Sequence, residues 1–157
     1  MENPDQLNIY KLNNYILNTE KINIHQSIPQ ISSEEKNHNY VRAESTERIK
    51  ENIEYDILCS RHGQERMEEL LTFLVDAVCS NTDYTCIGMG RLPTEAVRER
   101  LLKLNASHIE YVFDCVDHTT TAIRNIKNYL LTALYNAPAT IDNYYRAQVN
   151  HDLHGSG

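Results

Sequence analysis

Paired cysteines, long apolar runs and an excess of basic residues are all absent from this sequence. The four cysteines, Cys59, Cys79, Cys86 and Cys115, form no C-x-x-C pair. We therefore expect no disulfide framework and no metal site, and we expect the thiols to be buried and reduced. No apolar run approaches the roughly 20 residues that span a bilayer, and residues 1–5 do not open a secretory signal. A cytoplasmic protein without membrane contact is expected.

The charge balance of the chain is acidic, with 15 basic and 22 acidic side chains and a net charge of -7. Such a balance argues against a protein that grips phosphate backbones by bulk charge, so any contact with DNA has to be local. A length of 157 residues with 41% hydrophobic content suits one globular domain of modest core size plus a polar tail.

Composition changes near residue 45. Residues 1–44 are rich in Asn, Gln, Ser and Glu, which predicts a polar, largely disordered and flexible linker with at most one short helix near residues 7–17. Ser32 and Glu35 have the spacing of a capping box, but no apolar run follows them, so we expect no helix to begin there. Ser45 is expected to cap the first helix of a helical domain that covers residues 45–154.

Helical periodicity dominates the second part of the chain and predicts an all-α fold, a compact bundle of about five to six helices. Gly63 is expected to end one helix. The clearest apolar stripe follows it and comprises Met67, Leu70, Leu71, Leu74 and Val78. Periodicity fails over residues 79–93, where β-forming residues and two glycines predict a small hairpin or irregular loop near residues 84–92.

Three further helix boundaries can be predicted from capping residues and prolines. Pro93 is expected to start one helix, and Ser107 with Glu110 has the spacing of a capping box for the next. Pro138 is expected to stop the following helix, after which Thr140 caps a last one. The helix before Pro138 is expected to turn one apolar stripe toward the core: Ile123, Ile126, Leu130 and Leu134.

Four separated blocks of sequence carry a resemblance to a known domain. They read NIEYDIL (52–58), RLLKLNASHIEYV (100–112), NIKNYLLTALYNAPATIDNYY (125–145) and VNHDL (149–153). Over roughly residues 45–154 the chain resembles the C-terminal domain of RepA-type replication initiator proteins, which belong to plasmids and conjugative elements of Gram-positive bacteria. That domain is similar in turn to the DnaD/DnaB-type primosome domain.

The resemblance implies a DnaD-like helical bundle without catalytic residues or a cofactor. It implies an adaptor that recruits host replication proteins, such as primase or helicase-loading factors, with weak and non-specific contacts to single- or double-stranded DNA. RepA-type initiators carry a winged-helix domain ahead of a linker. Residues 1–44 are too short for that domain, so we expect the chain to be a fragment or a short stand-alone product.

The candidate DNA-contacting residues lie on one predicted helix. The Y-x-x-x-I-L motif of DnaD-like domains matches from Tyr129 to Leu134, with Ala133 in place of the isoleucine. Phosphate contacts and base stacking together predict five residues for this role: Arg124, Lys127, Asn128, Tyr129 and Tyr135. The alternative for the same positions is a solvated charged face and tyrosines that bury a ring in packing.

Two other functions remain open from the sequence. Without an origin-binding domain, the chain could be a stand-alone regulator that competes for the same host replication partner. A small metal-dependent or hydrolytic enzyme is the other hypothesis, but the candidate catalytic and metal-binding residues give it little support. Ser107, His108 and Glu110 point in different directions on a helix, and the pair His151 and His154 lies near the end of the chain.

Overall fold

A computed structural model describes residues 32–155. The chain divides into two units, residues 1–36 and residues 37–157. Of the first unit only residues 32–36 are described, so the predicted short helix near residues 7–17 lies outside the described residues. Six helices and one small hairpin make up the described part, which confirms the predicted all-α bundle. No helix between residues 32 and 155 has the length and apolar character needed to cross a membrane.

The first helix, α1, runs from Ser33 to Asn52 and begins earlier than predicted. The Ser32 hydroxyl accepts from the Glu35 N–H at 3.2 Å, and the Glu35 carboxylate accepts from the Ser32 N–H at 3.0 Å. The prediction that this capping box starts no helix was wrong, and Ser45 lies inside α1. An apolar run is not required there, because the cap and the acidic first turn stabilise the polar turns of α1 while Ile49, near its end, is buried.

Helices α2 (Tyr55–His62) and α3 (Gln64–Val78) follow and pack against each other. Gly63 separates them, as predicted, with φ 90° and ψ 148°, a conformation that favours glycine. The predicted stripe of α3 is confirmed, since all five of its residues are buried.

The predicted hairpin is also present. Strands β1 (Tyr84–Ile87) and β2 (Gly90–Pro93) pair antiparallel, with Tyr84 opposite Pro93 and Ile87 opposite Gly90. Helix α4 (Thr94–Leu101) starts directly after Pro93, as predicted.

Helix α5 (Ala106–Asp117) begins at a capping box two residues before the predicted one. The Asn105 side chain accepts from the His108 N–H, and His108 Nδ1 accepts from the Asn105 N–H, both at 3.1 Å. The predicted box of Ser107 and Glu110 was therefore wrong. In this capping box His108 occupies the third helical position, where Glu or Gln is usual, so the sequence pattern does not predict it.

The last helix, α6 (Ile126–His154), continues through Pro138, so the predicted stop at Pro138 and the cap at Thr140 were wrong. Proline removes one backbone donor, and Pro138 lies on the solvent-exposed side of α6. Contacts with α5 beyond the proline hold the helix in place. The Tyr144 hydroxyl donates to Asp114 and its ring meets Tyr111 edge-on at 4.9 Å.

The core lies where α2, α3, α4, α5 and α6 meet. Its fully enclosed side chains are Ile53, Leu58, Met67, Leu74, Leu101, Leu104, Ile109, Leu134, Val97 and Val112. Two predicted core residues lie outside the core. Ile126 is 52% exposed, because α6 begins at this residue and its first turn extends beyond the packed part of the bundle, and Ile123 lies before α6 and is only partly buried. The four cysteines are free thiols, but none is fully buried and Cys86 is exposed, which corrects the prediction of buried thiols.

Candidate functional site

An open groove runs between α3, α5 and the first turns of α6. Its volume is about 590 Å³. The apolar residues that line it come from all three helices and comprise Leu70, Phe73, Phe113, Val116, Ile126 and Leu130. Leu70 and Phe113 belong to the buried core, whereas Ile126 is exposed. The groove therefore extends the apolar core to the protein surface, which is typical of a binding site for an apolar partner.

One rim of the groove is an acidic stripe on α3. Glu65, Glu69 and Asp76 lie at helical spacings of four and seven residues, so their side chains share one face of α3. Asp76 forms an ion pair with Arg42 of α1 at 2.5 Å. Within residues 32–155, Glu65 and Glu69 have no ion-pair or hydrogen-bond partner. These two carboxylates face solvent beside the apolar lining.

A basic residue of the groove, Arg66, is already neutralised. Its guanidinium donates to both carboxylate oxygens of Asp117 at 2.7 and 3.2 Å and lies 4.0 Å from the centroid of the Phe113 ring. The hydrogen bond from Arg66 holds the pKa of Asp117 below its usual value, with partial burial opposing it. This bidentate pair ties α3 to α5 and leaves little basic charge for a ligand.

A second charged contact ties α2 to α5 beside the groove. Glu110 accepts from Arg61 at 2.9 Å, and its other oxygen lies 2.7 Å from His62 Nε2. Partial burial raises the pKa of Glu110, but the hydrogen bonds from Arg61 and His62 outweigh it, and the pKa is lowered. A carboxyl with a lowered pKa in the folded protein stabilises that state only while it is ionised.

We therefore expect a pH-dependent effect from Glu110→Gln. Glutamine loses the charge-assisted bonds, so the free energy of unfolding at pH 7 should fall by about 1 kcal/mol. The wild-type advantage exists above the unfolded-state pKa and disappears as the pH falls through the lower folded-state pKa, so it should shrink between about pH 5 and pH 3. Urea unfolding of both proteins across this range measures the difference. If the difference in free energy of unfolding were the same at every pH, ionisation of Glu110 would not contribute to stability.

The five predicted DNA-contacting residues do not form one surface. Arg124 lies two residues before α6, so the prediction that it belongs to the same helix was wrong. Arg124 and Lys127 are exposed, and Lys127 lines the groove. Asn128 instead contacts the hairpin: its Nδ2 donates to the Gly88 carbonyl at 3.0 Å. One turn further along α6, the Thr132 hydroxyl accepts from the Gly88 N–H at 2.7 Å. Asn128 thus helps to fix the hairpin tip onto α6, a role that its position in the sequence did not indicate.

The predicted tyrosines are each engaged within the fold. The Tyr129 hydroxyl lies 3.1 Å from Thr119 Oγ1, and the Tyr135 ring lies 4.5 Å from the guanidinium carbon of Arg100. Hydrogen bonding to Asp114 raises the pKa of Tyr144 to about 12, with a smaller contribution from burial. This arrangement favours the packing alternative for Tyr129 and Tyr135, because a side chain engaged by a neighbour offers less surface to a base. The role of all five residues in DNA contact stays a prediction.

Two titratable side chains considered for catalysis, His108 and Glu110, are engaged in contacts of the fold. Between residues 32 and 155 there is no group of three or more His, Cys, Asp or Glu side chains that could hold a metal ion. His108 is occupied by the cap of α5, and burial lowers its pKa, with Asp142 opposing. Glu110 is occupied by Arg61 and His62.

Sequence reasoning did not identify the groove. Two signals were present on α3: Phe73, which lies beside the buried stripe, and the acidic residues spaced along the neighbouring face. Both patterns also occur on ordinary surface helices. Only the approach of α5 and α6 places Phe113, Val116 and Leu130 opposite them, and this contact between distant segments is not visible in local periodicity.

The fold and the groove define a small helical-bundle protein with an apolar, acid-rimmed surface groove. The chain belongs to DUF6017, a family of unknown function, which it matches over residues 30–156. Searches of curated proteins and of solved structures gave no match. Membership of this family assigns no function, so the resemblance to RepA-type and DnaD-type domains stays a prediction.

Proposed function

We propose that this protein is a non-enzymatic adaptor in the replication initiation of a plasmid or other mobile element, where it recruits a host primosome protein in the cytoplasm. The class of process follows from the four sequence blocks that resemble RepA-type C-terminal domains. Recruitment of a protein is supported by one structural observation, the open apolar groove between α3, α5 and α6.

Protein docking accounts for the groove better than DNA binding does. Apolar side chains such as Phe73 and Ile126 gain little from a phosphate backbone, whereas they can bury surface against a protein. The neighbouring Glu65 and Glu69 repel phosphates. Arg124 and Lys127 are the exposed cations that remain from the predicted DNA-contacting set, so any DNA contact in this proposal is weak and non-specific.

Direct binding measurements test the adaptor proposal. The full chain is immobilised, and the purified host primase, replicative helicase and helicase loader are passed over it one at a time. We expect one of the three to bind with a dissociation constant in the micromolar range, as is usual for transient interfaces of modest size. Serum albumin, which is also acidic, serves as the control analyte. Failure of all three replication proteins to bind above the albumin signal would rule out the adaptor function.

A further inference from the structure

We propose that the occupant of the groove is an amphipathic helix with a basic flank, supplied by the partner protein. This inference rests on the proposed adaptor function and goes beyond it by naming the site and the chemistry of the partner.

The shape of the groove suits a helix. Its longest wall is α3, whose 15 residues span about 22 Å, the length of about four helical turns. The opposite wall comes from α5 and the first turns of α6, so the two sides lie on different helices with an apolar floor between them. A helix that enters such a groove buries residues spaced at i, i+3, i+4 and i+7.

The apolar contacts available to such a helix lie at both edges of the groove. Phe73 and Leu130 are partly buried against the core, and Ile126 is 52% exposed. These side chains are held by regular helices rather than by loops. Little ordering would therefore be required on the side of the groove when a partner binds.

The charge of the rim selects the partner. Glu65 and Glu69 are unpaired within the described residues, and Glu68 accepts only a neutral hydrogen bond from Gln64 at 2.7 Å. Arg66 is neutralised by Asp117, which leaves Lys127 as the basic lining residue without an ion pair in the described part of the chain. Lysine or arginine residues along one flank of the incoming helix would pair with these carboxylates, whereas an acidic helix would be repelled.

A second copy of the chain fits this site less well. The exposed apolar stripe on the last turns of α6 consists of Tyr145, Val149 and Leu153. Arg146 adjoins the stripe, but Asp142 and Asp152 do so as well, so this helix lacks the basic flank that the groove requires.

A pair of synthetic peptides provides the test. The probe is a fluorescein-labelled helix of about 18 residues with leucines at the spacing above and lysines on the flanks; in the control peptide every lysine is glutamate. Fluorescence anisotropy with the full chain, at about 0.1 M salt, measures both affinities. We expect the lysine peptide to bind at least about tenfold more tightly than the glutamate peptide.

Two double variants locate the binding site. Glu65→Lys with Glu69→Lys should weaken binding of the lysine peptide about tenfold, because it places like charges opposite each other. Glu44→Lys with Glu51→Lys makes the same change in net charge at exposed positions of α1 and should alter the affinity less than about twofold. Ile126→Ser should also weaken binding, since it removes an exposed apolar contact without disturbing the core.

Three results would overturn the inference. Equal affinity for the two peptides would remove the charge argument, and equal affinity of the two double variants would place binding elsewhere. A dimer in light scattering that dissociates in the Glu65 and Glu69 variant would make the groove a contact between copies of this chain. The two proposals can fail separately. If a host protein binds the wild type and the variant Glu65→Lys with Glu69→Lys equally, the adaptor function holds but the groove is not its binding site. If the groove binds the lysine peptide but the chain binds no host protein, the groove is a helix-binding site and the adaptor function is wrong.

Discussion

Replacing Leu134 by alanine is expected to lower the free energy of unfolding by about 3 kcal/mol. The Leu134 side chain has no exposed surface and lies on α6, in the middle of the core. Removing its methyl groups forfeits their transfer free energy and leaves a cavity that close-packed neighbours fill only in part. Urea unfolding, with the m-value checked for two-state behaviour, measures the loss.

Ile126→Ala is the matched control for Leu134→Ala. The apolar stripe of the sequence places both residues in the core, but Ile126 is 52% exposed at the start of α6. Its replacement should cost less than about 1 kcal/mol, because most of the side chain is already in water. If the two substitutions cost the same, then the first turn of α6 packs more deeply than the structure shows.

The contrast between Leu134 and Ile126 shows what hydrophobic periodicity can and cannot predict. It predicted α3 and five of its six buried residues, because a stripe of about four turns has one geometric explanation, and it predicted the hairpin from the loss of that period. It could not fix where a stripe leaves the core. That depends on the ends of neighbouring helices, which are set by contacts between distant segments.

Helix ends were the least predictable feature. Four boundaries were wrong: the start of α1, the cap of α5, the start of α6 and the supposed break at Pro138. In each case a weak local signal competed with packing or with a second cap. Pro138 costs α6 one hydrogen bond, but Tyr144 continues the contact with α5 beyond it, and that contact outweighs the local preference.

The candidate site was less predictable than the fold. Sequence alone suggested a charged and aromatic face on α6, whereas the structure divides those residues: Lys127 lines the groove, Asn128 holds the hairpin and Tyr135 contacts Arg100. Residues that are neighbours on one helix serve different partners because α6 touches the hairpin, α4 and α5 on different sides. A functional surface built from several helices cannot be read from one of them.

Gly63→Ala is the second substitution with a large expected effect, a loss of about 2 kcal/mol in the free energy of unfolding. Gly63 ends α2 and begins α3: its N–H donates to the Cys59 carbonyl, and its own carbonyl accepts from the Met67 N–H. These bonds hold φ at 90° and ψ at 148°, where a β-carbon is strained. A β-carbon at this position would meet no atom within 4 Å, so the loss would come from the backbone alone.

Two further variants separate backbone strain from other effects of substitution. Gly90→Ala should change stability by less than about 0.5 kcal/mol, because the added carbon makes ordinary contact, 3.6 Å from the Ile87 carbonyl, at a φ that other residues adopt. Glu54, the other connection into α2, has φ 53°, so Glu54→Gly should raise stability by about 1 kcal/mol. Thermal unfolding of the three variants gives the ranking. A Gly63→Ala protein as stable as Gly90→Ala would mean that a β-carbon is tolerated in the conformation of Gly63 and that the link between α2 and α3 does not require glycine.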